Sequence, residues 1–239
     1  MRRMREDALT HPKCRGPRRL LPRKTALLVV DMQHCLLDRR GAFGALWASL
    51  VPEEAHHYFE RIDTTVVPNL ALLLERCRAL DSTVTFTALD SPREEQADLA
   101  RWARRHGATL GRLVAAALDP PPASWLIRHD LRPERGEAVL VKSTCSAGRS
   151  TPLSTLLRER GVDTVLVAGV STNGGVAQTA FELADAGFHS AIVEDACAAL
   201  GSERHDSALA AFTPLRGWIS TTSEVLAGLP YPLAEEGAA

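Results

Sequence analysis

TALLVVDMQ, residues 25–33 of the chain, is an unbroken run of aliphatic and β-branched residues that ends on an acid. Apolar residues at successive positions, instead of alternate ones, are typical of a strand in a parallel sheet covered by helices on both faces. Further short β-branched runs follow it, and we predict strands at 83–88, 138–142, 164–169, 190–194 and 217–221. The first run therefore indicates one strand of a buried, six-stranded sheet.

The stretches between these runs carry apolar residues at helical spacing. We predict helices at 54–80 (with a turn near Val67-Pro68-Asn69), 151–160, 174–187 and 202–212. Strands that alternate with helices form right-handed crossovers, so the expected fold is a three-layer α/β/α sandwich with a mostly parallel sheet. Residues 89–137 interrupt the alternation, and a connection of that length tends to shape or cover a site.

Composition and charge narrow the class of protein. The 239 residues are 45% apolar and 24% charged, which excludes a disordered or fibrous chain. A formal charge of -1 gives no electrostatic reason to expect a nucleic-acid or membrane partner. We expect one domain over 25–228, a basic flexible arm over 1–24 and a C-terminal tail over 229–239.

The predicted arm carries nine Lys and Arg residues against two acids. It has no apolar core of roughly 7 to 15 residues, so we interpret it as a solvated arm and not a signal peptide. An arm that contacts nucleic acid or a membrane is the alternative. Because 25 of the 28 basic residues in the chain are Arg and three are Lys, we also predict a GC-rich bacterial source.

The cysteines indicate a reducing, cytoplasmic location. There are five, with no C-x-x-C pair, in a chain too large to need disulfides for stability: Cys14, Cys35, Cys77, Cys145 and Cys197. No cluster of Cys and His has the spacing of zinc ligands.

Polar residues at the ends of apolar strands are the first candidates for a site, since ligands of open parallel sheets bind beyond the carboxyl ends of the strands. Asp31 ends the first run and Lys142 ends the third. A carboxylate and an ammonium in one crevice would set each other's pKa, as acid–base catalysis requires. In the alternative interpretation, Asp31 caps the following turn and Lys142 extends to water.

The fourth run leads into GVSTNGGVAQTA, which predicts a strand, a tight turn and a helix. The backbone N–H groups of Asn173, Gly174 and Gly175 should lie at the start of this helix, able to hold an anion or oxyanion. The segment matches neither the dinucleotide nor the triphosphate glycine motif. Asn173 replaces the last glycine of a serine nucleophile elbow, which leaves a Ser171/His205 hydrolase as an alternative.

Four short motifs occur together and in order at the predicted strand ends: Asp31-Met32-Gln33, Lys142 with Ser146-Ala147, Gly169 to Asn173, and Val193 to Ala196. Together they resemble the isochorismatase-like hydrolase superfamily, over roughly residues 24–226. The resemblance implies an enzyme that acts on a small molecule and forms a homodimer or larger homo-oligomer. It also implies a cis peptide bond between Val170 and Ser171.

Most members of that superfamily are amidohydrolases with an Asp, Lys, Cys triad. Asp31 and Lys142 match two positions, but Gly175 stands where the nucleophilic Cys belongs, so no acyl-enzyme can form there. The isochorismatase branch, which cleaves a vinyl ether, also carries Gly at this position. The resemblance then implies that Asp31 is a general acid that protonates the enol carbon, after which water adds to the cation.

That role requires burial to raise the Asp31 pKa, because Lys142 favours the ionised carboxylate. If Asp31 stays ionised, it acts instead as a base on water, with Lys142 and the turn amides stabilising an oxyanion.

Three functional hypotheses follow. The first is a hydrolase of secondary metabolism that cleaves a vinyl ether, C–O or C–N bond of a small polar metabolite through Asp31 and Lys142. The second is a catalytically silent binding or accessory protein. The third is an amidohydrolase whose nucleophile has moved to Cys145 or Cys35, whereas Cys197 is expected to be structural.

The predicted substrate contacts are Ser171, Asn173 and Gly174 of the turn, together with Gln33 and Arg149. Gln33 resembles a family glutamine that faces the ligand, with a helix-start residue as the alternative. Arg149 stands near a position that holds an aromatic residue in many relatives, and its guanidinium could clamp a carboxylate; an exposed surface arginine is the alternative.

We predict no metal and no cofactor. Some superfamily members, the nicotinamidases, bind zinc through an Asp-x-His motif after the second strand, and residues 87–92 of this chain offer no His.

Overall fold

The computed structural model describes residues 19–89, 122–213 and 216–230. Within them the strands are β1 (Thr25–Val30), β2 (Thr83–Leu89), β3 (Ala138–Lys142), β4 (Thr164–Val170), β5 (His189–Ala198) and β6 (Trp218–Ser220). They form one sheet in the order β3-β2-β1-β4-β5-β6, with every neighbouring pair parallel. The predicted six-stranded sheet is confirmed, and among the described strands it is parallel throughout.

Strands β1 and β4 lie side by side at the centre of the sheet, and every residue of both is buried. Val30 pairs with Gly169 where the two strands end. Gly169 has a φ of +119°, and a Cβ atom on it would lie 2.2 Å from the Val30 carbonyl oxygen. Only glycine allows this backbone conformation and this close approach.

Helices cover both faces of the sheet, as the sequence predicts. They are α1 (His34–Leu37), α2 (Ala42–Leu50), α3 (Pro52–Arg61), α4 (Val67–Ala79), α5 (Ala147–Ser150), α6 (Leu153–Glu159), α7 (Ala177–Asp185), α8 (Ser202–Phe212) and α9 (Thr222–Gly228). Short 3-10 helices span Pro22–Lys24, Pro122–Trp125 and His129–Leu131. Helix α4 packs on β1, β2 and α9, whereas α7 packs on β4, β5 and α8, which gives the three layers.

The turn predicted near residues 67–69 is wrong. Helix α3 runs into a π-helix at Ile62–Val66, which leads directly into α4, and Val67 itself has helical φ and ψ of -63° and -48°. Pro68 cannot donate a helical N–H, and it comes directly after the π-helix, where the regular α-helical hydrogen-bond pattern is already interrupted.

Residues just outside the predicted domain limits of 25 and 228 pack against the core. Leu20 packs in the core, and its N–H donates to the Gly228 carbonyl at 2.8 Å. Leu229 is buried in the same core. One residue of the predicted arm, Leu20, and one of the predicted tail, Leu229, therefore contact the domain. Residues 1–18 and 231–239 of those segments, and 90–121 of the long connection, lie outside the described residues.

Candidate active site

The direction of the chain crossovers reverses between β1 and β4, and at this point the sheet opens a crevice beyond its carboxyl edge. Asp31 is the first residue after β1 and adopts a φ of +53°, a conformation that aspartate tolerates better than most residues. Its N–H donates to the Thr87 carbonyl at 3.1 Å, which holds it beside β2. The end of β1 therefore places a carboxylate in the crevice.

Lys142 reaches the same carboxylate from β3, on the other side of β2. Its Nζ lies 2.8 Å from Asp31 Oδ2, and the two side chains are only 1% and 6% exposed. Nζ also donates to the carbonyls of Thr144 and Cys145, both at 3.0 Å. Three oxygen acceptors thus take up the three N–H bonds of the ammonium, and Lys142 does not extend to water.

Two opposing influences set the pKa of Asp31. Burial raises it, while the charge of Lys142 and hydrogen bonds from Lys142 and Thr87 lower it, and burial prevails, so the pKa lies above the usual value of 3.8. Thr87 Oγ1 donates to Oδ1 at 2.7 Å. Asp31 is therefore closer to holding a proton at neutral pH than an exposed aspartate is.

A cavity of about 660 Å³ opens above this pair. Its lining includes the turn residues Ser171, Asn173, Gly174 and Gly175, which the structure brings together with Asp31 and Lys142. The other lining residues are Leu36, Phe43, Trp47, Leu50, Val51, Tyr58, Leu89, Ser143, Thr144, Cys145, Val170, Leu200 and Arg204. The described site is thus a largely apolar hollow with one buried ion pair.

Gly175 lies directly against the carboxylate. A Cβ atom there would be 3.1 Å from Asp31 Oδ2 and 3.3 Å from the Cys145 carbonyl oxygen. A side chain at this position would contact the acid, so the glycine leaves Oδ2 free of a neighbouring side chain on that side. The peptide bond between Val170 and Ser171 is cis, as the resemblance implied.

The turn amides differ from the prediction in one respect. Residues Thr172–Val176 form a π-helix, and the Gly174 N–H donates to the Ser171 carbonyl at 2.9 Å. This N–H is therefore engaged within the turn and is not free to hold a substrate oxygen, although Gly174 does line the cavity.

Gln33 does not face the cavity. It is fully buried: its Nε2 donates to the carbonyls of Leu89 and Trp125 at 3.1 and 2.7 Å, and its Oε1 accepts the Leu89 N–H at 2.8 Å. The amide thus joins β2 to the 3-10 helix that ends at Trp125. Backbone groups thus take up the polar atoms of Gln33 that the prediction assigns to the substrate.

Arg149 and His205 also lie outside the cavity lining. Arg149 is exposed on α5. The ring of His205 is 7% exposed, with Nδ1 at 2.8 Å from Thr172 Oγ1 and Nε2 at 3.4 Å from Arg61. Burial and Arg61 lower its pKa to about 4. These contacts leave no ring nitrogen to activate Ser171, so the structure does not support the Ser171/His205 alternative.

Of the cysteines considered as substitute nucleophiles, Cys145 is the one that lines the cavity. It is exposed, and its Sγ lies 3.6 Å from the position that a Cβ on Gly174 would take. Cys35 is a buried residue of α1, and burial and the Asp31 charge raise its pKa to about 12. Cys197 is buried in β5, consistent with a structural role.

Sequence reasoning missed Thr87, Arg204 and the aromatic wall made by Phe43, Trp47 and Tyr58. Thr87 could have been found, because it lies near the carboxyl end of β2, next to the strand that carries Asp31. Tyr58 and Arg204 lie on predicted helices, but periodicity does not indicate which helical residues face a cavity. Phe43 and Trp47 lie on α2, a helix that the sequence analysis does not predict.

Within the described ranges, no group of three or more His, Cys, Asp and Glu side chains is arranged to hold a metal ion. No helix in those ranges is long and apolar enough to cross a membrane.

Comparison with known proteins identifies the family. The sequence model of the Isochorismatase domain matches residues 25–224. The isochorismatase family protein YecD of Escherichia coli O157:H7 is 36% identical over 211 residues, covering 86% of this chain and 96% of its own. Enterobactin synthase component B of Escherichia coli K12 is 27% identical over 218 residues, covering 91% and 67%.

A solved structure shares the fold. The cysteine hydrolase from Pseudomonas syringae pv. phaseolicola 1448A superposes with a TM-score of 0.69 at 24% identity, covering 91% of this chain and 96% of its own. The sheet order, the buried Asp31–Lys142 pair and a family match that spans most of the chain agree, and this protein belongs to the isochorismatase family of hydrolases.

Proposed function

We propose that this protein hydrolyses a vinyl ether, or a related C–O or C–N bond, in a small polar metabolite by acid–base chemistry without a cysteine nucleophile at position 175. The observation that carries the proposal is the contact of 2.8 Å between Asp31 Oδ2 and Lys142 Nζ on the floor of the cavity. Gly175 faces this contact and offers no nucleophile of its own.

Asp31 is the proton donor in this proposal. The raised pKa of the buried carboxyl supports this role, because a general acid must hold its proton near the working pH. Protonation of the terminal enol carbon gives an oxocarbenium ion and leaves Asp31 ionised. Water then adds to the cationic carbon and returns a proton to Asp31, and the resulting hemiketal collapses to a ketone and an alcohol.

Lys142 stabilises the carboxylate that forms when Asp31 gives up its proton. Its ammonium already lies 2.8 Å from Oδ2 and is fixed by the carbonyls of Thr144 and Cys145, so no reorganisation is needed as the charge develops. A lysine that was free to move would first have to be positioned before it could stabilise the new carboxylate.

A second candidate is an amidohydrolase that uses Cys145, since this thiol lines the same cavity. The electrostatic environment of Cys145 does not favour a nucleophilic thiolate. Burial and the negative charge of Asp31 raise the pKa of Cys145, and Lys142 offsets them only in part. A nucleophilic cysteine needs a lowered pKa, so we place this candidate second.

The test is a paired screen of vinyl ethers and amides with the native protein, Asp31→Asn and Cys145→Ser. We expect vinyl ether hydrolysis by the native protein and a loss of kcat/KM on the order of 1,000-fold in Asp31→Asn. Cys145→Ser should retain turnover, and iodoacetamide should not inactivate the native protein. Far-UV circular dichroism and the Tm would show that both variants are folded.

Three results would overturn the proposal. Amide hydrolysis that disappears in Cys145→Ser, or on alkylation, would identify the second candidate. Turnover that survives in folded Asp31→Asn would remove the acid from the reaction. A native protein that binds ligands without turnover of either class would be the silent binding protein.

The cytoplasmic location, a role in secondary metabolism and a homo-oligomeric state belong to the same proposal, which the family resemblance supports. Elution at the size of a monomer in size-exclusion chromatography would contradict the last of these.

A further inference from the structure

The charges that line the cavity do not cancel. Among the described lining residues, three side chains are charged: Asp31, Lys142 and Arg204. Asp31 and Lys142 form a mutual ion pair, whereas Arg204 makes no ion pair within the described residues. The cavity therefore carries one positive charge whose counterion the described protein does not supply.

Arg204 is held at its place by the backbone. It lies in the first turn of α8, which follows β5 through Gly201, a residue with a φ of +82°. Its Nη1 donates to the Leu200 carbonyl at 2.7 Å, while the remaining N–H groups of the guanidinium have no acceptor among the described residues. The neighbouring His205 anchors the same turn through its 2.8 Å contact with Thr172.

The lysine in the cavity cannot take an anion in place of the arginine. All three N–H bonds of the Lys142 ammonium already point at oxygens, namely those of Asp31, Thr144 and Cys145, at 2.8 to 3.0 Å. A carboxylate that bound Lys142 would displace Asp31 from its partner. A carboxylate can accept hydrogen bonds from the open guanidinium N–H groups of Arg204 without displacing another protein group.

The walls between the two charged positions are apolar. Phe43, Trp47 and Tyr58 line the cavity together with leucine and valine side chains. Arg204 also lines a neighbouring surface groove together with two acids, Glu54 and Glu203, neither of which lines the cavity. A ligand that fills the cavity thus meets apolar side chains and one cation that forms no ion pair among the described residues.

We infer that Arg204 is a specificity-determining residue that binds a carboxylate on the substrate, so that the enzyme acts on a monoanionic compound with an apolar or planar body. The inference rests on the proposed function for the reaction, but it concerns binding by Arg204 and not the groups that react. Arg204 and a carboxylate form two parallel charge-assisted hydrogen bonds, which orient the ligand as well as hold it. The reacting bond then lies toward Asp31.

A binding experiment tests whether Arg204 binds a carboxylate and does not require the enzyme to turn over a substrate. Benzoate and benzamide have the same shape and differ in charge, and ligand-observed NMR titration gives the Kd of each for the native protein, Arg204→Gln, Arg204→Lys and Arg160→Gln. Arg160 is an exposed arginine that follows α6, away from the cavity lining, and its variant removes the same charge. We expect the native protein to prefer benzoate by about tenfold.

The preference should disappear in Arg204→Gln, fall in part in Arg204→Lys and persist in Arg160→Gln. A preference that survives in Arg204→Gln would overturn the inference, as would native protein that binds benzoate no better than benzamide, including the case in which neither binds. The outcome is independent of the proposed reaction. Turnover by Asp31→Asn would defeat the reaction and leave the benzoate preference intact, whereas loss of the preference in the native protein would leave the acid–base chemistry standing.

Discussion

Two ion pairs in this molecule hold acids whose pKa values are shifted in opposite directions. Asp31 and Lys142 are 6% and 1% exposed and meet through one oxygen, and the Asp31 pKa is raised. Arg78 holds Glu137 through two parallel contacts of 2.8 and 2.9 Å, with side chains 24% and 11% exposed. Burial raises the Glu137 pKa too, but the hydrogen bonds and charge of Arg78 and the Glu134 N–H prevail and lower it.

The difference separates a pair that stabilises the fold from one that is poised for proton transfer. Glu137 combines retained solvent contact with a two-pronged partner, so its ionised form is favoured. Asp31 has lost its water and gained fewer donors, so its ionised form depends on Lys142. A negative charge beside a positive one is therefore not by itself evidence of a stabilising salt bridge.

The largest expected effect comes from removing one cation at a time. Lys142→Met leaves a buried carboxylate without its partner and should lower the free energy of unfolding at pH 7 by about 3 to 5 kcal/mol. Arg78→Met leaves Glu137 with access to water and should cost about 1 kcal/mol. Urea denaturation followed by circular dichroism measures both. Equal losses would show that the two pairs do not differ as their burial indicates.

Repeating the urea denaturation at several pH values shows whether the stability loss in Lys142→Met grows or shrinks as pH rises. In Lys142→Met the Asp31 pKa rises further above its unfolded value of 3.8, so the fold is most stable below that pH and loses stability as pH rises through the raised pKa. The loss caused by Lys142→Met should therefore grow with pH. Adding Asp31→Asn to Lys142→Met should recover part of it, because no charge is then buried.

Glu137 gives a smaller change in the free energy of unfolding, with a pH dependence of the opposite sign. Its folded pKa lies below the unfolded value of 4.5, so its contribution is present above 4.5 and disappears as pH falls through the folded pKa. Glu137→Gln should lower the free energy of unfolding by about 1 kcal/mol at pH 7 and flatten its decline in acid.

The matched control is Glu134→Gln, since Glu134 contacts the same guanidinium at 3.3 Å but is 62% exposed. This variant should keep the acid-dependent decline. His205, whose pKa is lowered to about 4, costs stability between pH 6.5 and 4 in native protein and variants alike, so it cancels in the difference. A decline that is as steep in Glu137→Gln as in the native protein would contradict the assignment.

The sequence was sufficient to predict the sheet and the pair in the crevice, because both follow from strand ends. Runs such as residues 25–30 are apolar at every position, and parallel strands bring their carboxyl ends to one edge, so Asp31 and Lys142 had to lie near each other. The identity of the fold thus depended on local patterns that repeat along the chain.

What the sequence did not predict depends on contacts between distant segments. Gln33 was assigned to the ligand, but its amide finds backbone partners at Leu89 and Trp125, 56 and 92 residues away. Pro68 indicated a turn, but the preceding π-helix places it where a helix accepts proline. Arg204 was missed because helical periodicity does not distinguish a cavity mouth from open solvent.

The smallest expected effect comes from the hydrogen bond that Thr87 of β2 donates to Asp31. Thr87→Val removes the 2.7 Å hydrogen bond to Oδ1 and keeps the shape of the side chain, so the Asp31 pKa should rise further. If Asp31 is the acid, the pH at which the rate falls should move upward, with a change in maximal rate of only about a few-fold. A rate that rises, instead of falling, through the shifted pKa would indicate that Asp31 works as a base in its ionised form.

Thr85→Val is the matched control for this variant. Thr85 lies two residues earlier on the same strand, is equally buried, and its hydroxyl has no hydrogen-bond partner in the described structure. Its replacement should leave the pH profile unchanged and the stability equal or slightly higher, since it removes an unsatisfied polar group. A common shift in both variants would trace the effect to packing of β2, whereas a shift confined to Thr87→Val would trace it to the proton on Asp31.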